Sequence, residues 1–206
     1  MAIDLRELVD PAHTVLVTQE CQKGVIGPNP ALPLLRDIAA KAMIPNAGRL
    51  ATAARAAGVT VVHAVAQRRE DGKGSNTNAR LFHGILKTPV RLLPGTEATE
   101  VIDEIGVDPA DIVLTRLHGL GPMGGTDMDA VLRNMGIRTI VGIGVSVNVG
   151  MLDFAFDAVN GGYQMVIPRD AVAGIPEDYA EAVLDNTLAL VATLTTTDTL
   201  LDAWAR

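Results

Sequence analysis

Four apolar runs of this 206-residue chain each end in polar side chains able to move protons or hold charge. The run His13–Gln19 (HTVLVTQ) is followed at once by Glu20, a carboxylate placed where a buried strand should stop. Such an acid serves as a proton donor or acceptor when a desolvating pocket surrounds it; the plainer alternative is a carboxylate bonded to backbone at a strand end. Gln67 supplies an amide after Thr60–Val65, and Arg116 with His118 follows Asp111–Thr115. Arginine stays protonated and forks onto carboxylates, so Arg116 can clamp an anion or pair structurally with Glu20. His118 lies in the glycine-rich stretch Leu117–Gly124, either as a general base or as an exposed loop residue. After Thr139–Gly144 comes the turn Val145-Ser146-Val147-Asn148-Val149-Gly150. A carboxylate, amides, a guanidinium and a tight turn can together bind and protonate a small polar molecule.

The elements that must position these residues alternate in type. The four runs, Tyr163–Ile167 and a last candidate at Thr195–Thr199 read as strands. Between them, helices are expected near Ile44–Ala57 (capped by Gly58), Glu97–Ile105, Asp127–Met135 (with Thr126 as N-cap), Val149–Asn160 and Pro176–Thr193, with a helical turn at the C-terminus. Gln67–Asn78 reads as a polar loop. Continuous apolar strands imply burial on both faces, hence a three-layer α/β/α sandwich around a mainly parallel sheet. In such sheets ligands bind beyond the carboxyl ends of the strands, where the candidate residues cluster. No repeat or long linker divides the chain, so residues 1–206 are expected to form one domain.

Composition narrows the function classes. Seventeen basic against 24 acidic residues give a formal charge of −7, a poor match to a nucleic-acid backbone. No basic amphipathic stretch and no apolar run of ~18–20 residues points to a membrane. Met1–Asp10 carries three acids and one arginine, unlike a secretory leader, and a single cysteine excludes an intramolecular disulfide; a cytoplasmic protein is expected. That cysteine, Cys21, adjoins Glu20 and by strand alternation faces the other way, which makes it small, buried and inert. His63, inside a strand, reads as a core histidine. The four histidines, His13, His63, His83 and His118, lack metal-ligand spacing, and no Gly-x-Gly-x-x-Gly is present, so no metal or nucleotide cofactor is expected.

Several segments, in order, resemble the isochorismatase-like, or cysteine hydrolase, superfamily. They are Glu20-Cys21-Gln22 in place of that family's Asp-x-Gln, Leu93-Pro94-Gly95-Thr96, Gly125-Thr126 with Leu132-Arg133, and Gly144-Val145-Ser146-Val147-Asn148-Val149-Gly150. Ala155-x-Asp157-Ala158, Gly162-Tyr163 and Arg169-Asp170-Ala171 follow. Most members hydrolyse amides through an Asp, Lys and Cys triad and a covalent thioester. The resemblance puts Gly150 where the nucleophilic cysteine stands, Glu20 in place of the aspartate, and Arg116 at or near the lysine.

One branch, the true isochorismatases, also has glycine there and cleaves a vinyl ether: a carboxylic acid protonates the substrate and water attacks. By that resemblance Glu20 would be the acid, Gln67 a substrate-side amide and Arg116 the clamp for a substrate carboxylate. That branch has Ala-His where this chain has Val147-Asn148. The resemblance further implies a cis peptide at Val145–Ser146 that turns backbone N–H groups into the site. Val145, Ser146, Asn148 and Gly150 would then line the substrate, beside His118. Members are dimers or tetramers, so a homo-oligomer is expected, and Asn76, Asn78 and Arg80 are candidates for a neighbouring subunit's rim. Two functions follow: a cofactor-free hydrolase of a small polar metabolite using Glu20 and Arg116, or a catalytically silent relative that binds a small molecule or protein partner.

Overall fold

The β-branched run Thr14–Gln19 is buried along its whole length, as a strand in the middle of a covered sheet must be. The computed structural model describes residues 4–205. The chain enters through α1 (Leu5–Leu8) and β1 (Thr14–Gln19); α2 (Lys23–Ile26) and α3 (Pro33–Ala39) then lead to α4 (Met43–Ala57) and β2 (Thr60–Ala66). Next come α5 (Arg80–Ile85), β3 (Ile112–Arg116), α6 (Met128–Asn134) and β4 (Thr139–Val145). A π-helical turn at Val147–Met151 opens α7 (Leu152–Asn160). The chain ends with β5 (Gln164–Pro168), β6 (Val172–Ala173), α8 (Glu177–Asn186), β7 (Thr193–Thr195) and α9 (Thr197–Trp204).

All strand pairs are parallel, in the order β3-β2-β1-β4-β5-β7, with the two-residue β6 beside the end of β4. Successive residues of β1 serve opposite sides of the sheet. Leu16 joins a core with Leu50 and Ala54 of α4 and Trp204 of α9. Val15 and Val17 join a second core with Leu132 of α6, Phe154 of α7 and Val183 of α8. This is the three-layer architecture expected from the sequence. Because β1 leads to β2 on one side and lies beside β4 on the other, the strand order reverses at β1, and a crevice opens beyond its end. Among the described residues no helix is long and apolar enough to cross a membrane.

Three elements differ from expectation. No helix forms at Glu97–Ile105 beyond one 3₁₀ turn at Glu97–Thr99. The backbone there is committed elsewhere, since Lys23 N–H donates to Glu100 O (2.8 Å) and Ile102 N–H to Cys21 O (3.0 Å). The helix expected over Pro176–Thr193 stops at Asn186; a 3₁₀ turn at Leu188–Leu190 buries Leu188, and the chain then joins the sheet as β7. The last strand accordingly precedes Thr195–Thr199, most of which belongs to α9 instead.

The core histidine is satisfied on both nitrogens. His63 is fully buried, with Nδ1 2.9 Å from Thr18 Oγ1 and Nε2 3.0 Å from Asp111 Oδ2. An ionised carboxylate only accepts, so Nε2 carries the hydrogen and Nδ1 accepts from the Thr18 hydroxyl. Asp111 also accepts from Arg55 Nε and Nη2 (3.2 and 2.6 Å) and from the Asp108 N–H (2.8 Å). Arg55 in turn donates to the carbonyls of Ile105 and Gly106. This network fastens α4 to the start of β3 and to the loop before it.

Candidate functional site

The end of β1 is built by three adjacent side chains with separate tasks. Gln22 is fully buried and grips one residue on both sides: its Oε1 accepts from Ala66 N–H (2.7 Å) and its Nε2 donates to Ala66 O (2.9 Å). That fixes the end of β1 against the end of β2. Cys21 turns into the core, 2% exposed, with Sγ 3.7 Å from Gln19 O. Burial, and then the Glu20 carboxylate beside it, push its thiol well above the ordinary range, which disfavours the thiolate. Glu20 faces the opposite way, into a cavity of about 300 Å³.

Glu20 does this at a backbone kink. Its φ is +52°, a left-handed conformation that costs a non-glycine residue about 1–2 kcal/mol. The kink lets Glu20 N–H donate to Ala64 O (3.0 Å) while its carboxylate is turned beyond the strand. There Oε1 accepts a short hydrogen bond from Arg116 Nη2, and Oε2 takes none from any described residue. Arg116 is 6% exposed at the end of β3. The same Nη2 donates to Leu120 O (3.0 Å), and Nη1 is buried with no partner. Both readings of Arg116 therefore meet at one place: it is paired with Glu20, and it lines the cavity.

The loop after β3 closes this corner. Leu120 O accepts from Gln19 Nε2 (3.2 Å) as well as from Arg116, and the loop is pinned behind by Gly121 N–H donating to Asp153 Oδ2 (2.7 Å). Asp157, one turn further along α7, has its carboxyl pushed up by burial and by Asp153. Thr126 lies at the start of α6 as expected, its Oγ1 accepting from Met128 N–H (3.1 Å).

The turn after β4 carries the cis peptide at Val145–Ser146 that the resemblance implies. Two of its N–H groups, those of Val149 and Met151, are already committed to Ser146 O (3.1 and 3.0 Å). At Gly150 a side chain would crowd its neighbours. A Cβ built there would lie 2.9 Å from Gln19 Nε2, 3.2 Å from Leu120 O and 3.4 Å from Val145 O. The amide of Gln19, fully buried, fills the space beside position 150. Gly150→Cys is therefore expected to cost about 1–3 kcal/mol through overpacking, a drop of several degrees in Tm. Combining it with Gln19→Ala should give a protein more stable than the two single effects sum to. Calorimetry of the four proteins checks this; an unchanged Tm for the single cysteine variant would refute the crowding.

Of the residues singled out in the sequence, Glu20, Gln67, Arg116, His118, Ser146 and Gly150 meet around this cavity. The Gln67 N–H donates to Arg116 O (2.8 Å), while its side-chain amide makes no hydrogen bond to a described residue. His118 is exposed at the mouth, its imidazole against Gly125. Two residues fall elsewhere. Val145 is fully buried in the core under α4, because it is the last residue of β4 and its side chain follows the strand alternation. Asn148 turns away from the cavity: its Nδ2 donates to Ile175 O (3.1 Å) and its Oδ1 accepts from Ser146 Oγ (3.1 Å). It braces the loop before α8. Asn76 lines the cavity, accepting from Gly119 N–H (2.8 Å). The strand end puts Gln19 near the site, but its packing beside Gly150 is visible only in the structure.

A match to the Isochorismatase domain spans residues 14–199, and the chain belongs to that family. Among curated relatives, it is 34% identical over 103 residues to the uncharacterized isochorismatase family protein YwoC of Bacillus subtilis, covering 50% of this chain and 54% of that protein. It is 31% identical over 153 residues to ureidoacrylate amidohydrolase RutB of Agrobacterium fabrum, covering 69% of this chain and 67% of the relative. The matches thus span from about half to two thirds of the relatives' lengths. Among solved structures, a cysteine hydrolase from Pseudomonas syringae pv. phaseolicola superposes with a TM-score of 0.84 at 24% identity, over 96% of this chain and 94% of that one. N-carbamoylsarcosine amidase from Thermoplasma acidophilum gives 0.72 at 24% identity, over 90% and 97%. At that identity the likeness is one of fold.

Proposed function

We propose that this protein is a hydrolase of a small polar metabolite that works without a thiol nucleophile, with Glu20 as its acid/base. The observation that carries the reading is the Glu20 side chain itself. It is turned into the cavity by a left-handed kink, with one oxygen held by Arg116 and the other unbonded. On a vinyl ether, protonated Glu20 gives its proton to the methylene carbon, water attacks the resulting oxocarbenium ion and returns a proton to Glu20, and the hemiketal so formed expels the alcohol. On a carbonyl substrate, water attacks the electrophilic carbon and gives its proton to Glu20 Oε2. Glu20 then returns that proton to the departing oxygen or nitrogen, so the carboxylate is regenerated and no covalent intermediate forms. Arg116 fixes the carboxylate, and Gln67 and Ser146 offer hydrogen bonds to the substrate. The relative named as a ureidoacrylate amidohydrolase supports hydrolysis of a small carbonyl compound.

A second reading, a binding protein without turnover, is favoured by the same Glu20–Arg116 contact, which ties one carboxylate oxygen into a static ion pair. Hydrolysis of isochorismate and a panel of small amides, between about pH 5 and 8, separates the two. The hydrolase is expected to retain turnover in Cys21→Ala and after iodoacetamide treatment. Loss of turnover in Cys21→Ala, with the fold intact, would overturn the thiol-free mechanism. Turnover of nothing, with ligand binding intact, would leave the second reading.

A further inference from the structure

The cavity has a second half that the proposed chemistry does not use. Leu81, Phe82, Ile85 and Leu86 of α5 and the residue after it line it from above. None of these side chains belongs to either core, and α5 buries no residue of its own. They recur at the spacing of one helical face, so the apolar face of α5 has the cavity as its surroundings. Leu32 and Leu35 of the α3 region face it from below.

One cation stands beside this apolar half. Arg68 lines the cavity, and among the described residues no carboxylate lies within ion-pair distance of it, whereas its neighbours Arg69 and Arg91 pair with Asp71 and Glu70. Its position is built: Arg68 N–H donates to Leu92 O (2.8 Å), and the guanidinium lies against Gly72, whose added Cβ would come within 3.1 Å of Nη2. Of the arginines in the lining, Arg116 is paired with Glu20 and Arg91 with Glu70, which leaves Arg68 as the uncompensated charge, in a chain of formal charge −7. A positive cavity in an acidic protein selects anions.

We propose that the cavity takes a small monocarboxylate with a hydrocarbon body, its anion held by Arg68 and its hydrocarbon seated on α5. This deepens the hydrolase reading by naming the substrate class of the same site, and it is tested by binding alone. Hexanoate, hexanamide and acetate are titrated by calorimetry into the wild-type protein. Hexanoate is expected to bind about tenfold or more tightly than hexanamide, as an ionic contact in a pocket supports. Acetate should be weaker again, by roughly fourfold for each methylene that hexanoate buries.

Arg68→Met should bring hexanoate down to the level of hexanamide and leave hexanamide unchanged. Phe82→Ser should weaken hexanoate and hexanamide alike. Absence of hexanoate binding, equal affinities for hexanoate and hexanamide, or an Arg68→Met loss shared equally by both would overturn the proposal. Binding as expected in a protein that hydrolyses nothing would sink the hydrolase reading and leave this one standing.

Discussion

Glu20→Gln is expected to lower turnover by about 10²–10⁴-fold, the usual worth of a positioned acid/base. The substitution keeps an oxygen that can accept from Arg116 Nη2, so the end of β1 and the loop through Leu120 retain their bonds. What is removed is the proton-carrying Oε2. Tm should therefore change little while kcat collapses. Glu20→Asp shortens the side chain by one methylene and pulls the carboxylate back toward the strand. It should fall between wild type and Gln, with the loss in kcat rather than in KM. Full activity in Glu20→Gln would remove Glu20 from the mechanism and return attention to His118 at the cavity mouth.

Asp111→Ala is expected to cost about 3 kcal/mol of stability, because it strips a buried carboxylate from Arg55 and His63 at once. For a chain of this size that is a fall in Tm of roughly 6–12 °C. Thermal unfolding checks it, and a fall of only a degree or two would show that water replaces the carboxylate. The network also sets a pH dependence. Burial lowers the pKa of His63 below its ordinary 6.5, a shift that the Asp111 hydrogen bond only partly opposes. As pH falls below about 6.5 the unfolded chain takes up the proton first, so stability declines from there down to the folded value. Burial pushes the Asp111 carboxyl up, but Arg55, the Asp108 N–H and His63 outweigh it and hold it below 3.8. Its contribution is present above that value and is lost as pH falls further. His63→Gln should flatten the first decline and leave the second.

Much of the fold was legible because the strands are long β-branched runs with turn residues after them. Thr14–Gln19, Thr60–Ala66 and Thr139–Val145 all lie within a residue or two of where the pattern puts them. The misses share a cause. Glu97–Ile105 carries a helical pattern but pairs with the chain after β1, through the Gln22–Val101 bridge, a long-range choice that periodicity cannot show. The short helices α1, α2, α3 and α5 have too few turns for a periodic signal.

At the site, strand ends predicted the right neighbourhood for Glu20, Gln67 and Arg116 because a parallel sheet delivers them there together. The orientation of Asn148 was illegible, since it depends on a loop that ends at Pro176, 28 residues further on. The role proposed for Arg68 is hidden in a charged stretch, where an arginine with no ion pair among the described residues looks like those that have one.

The pairing of Gly150 with Gln19 has a practical consequence. On the proposed mechanism, electrophilic probes that find hydrolases by alkylating a thiolate are expected to miss this chain: position 150 bears no side chain, and Cys21 is buried. Such labelling would pass this protein over whether or not it is active, and a reagent that esterifies carboxylates, such as a diazo compound, is the one suited to report on its pocket.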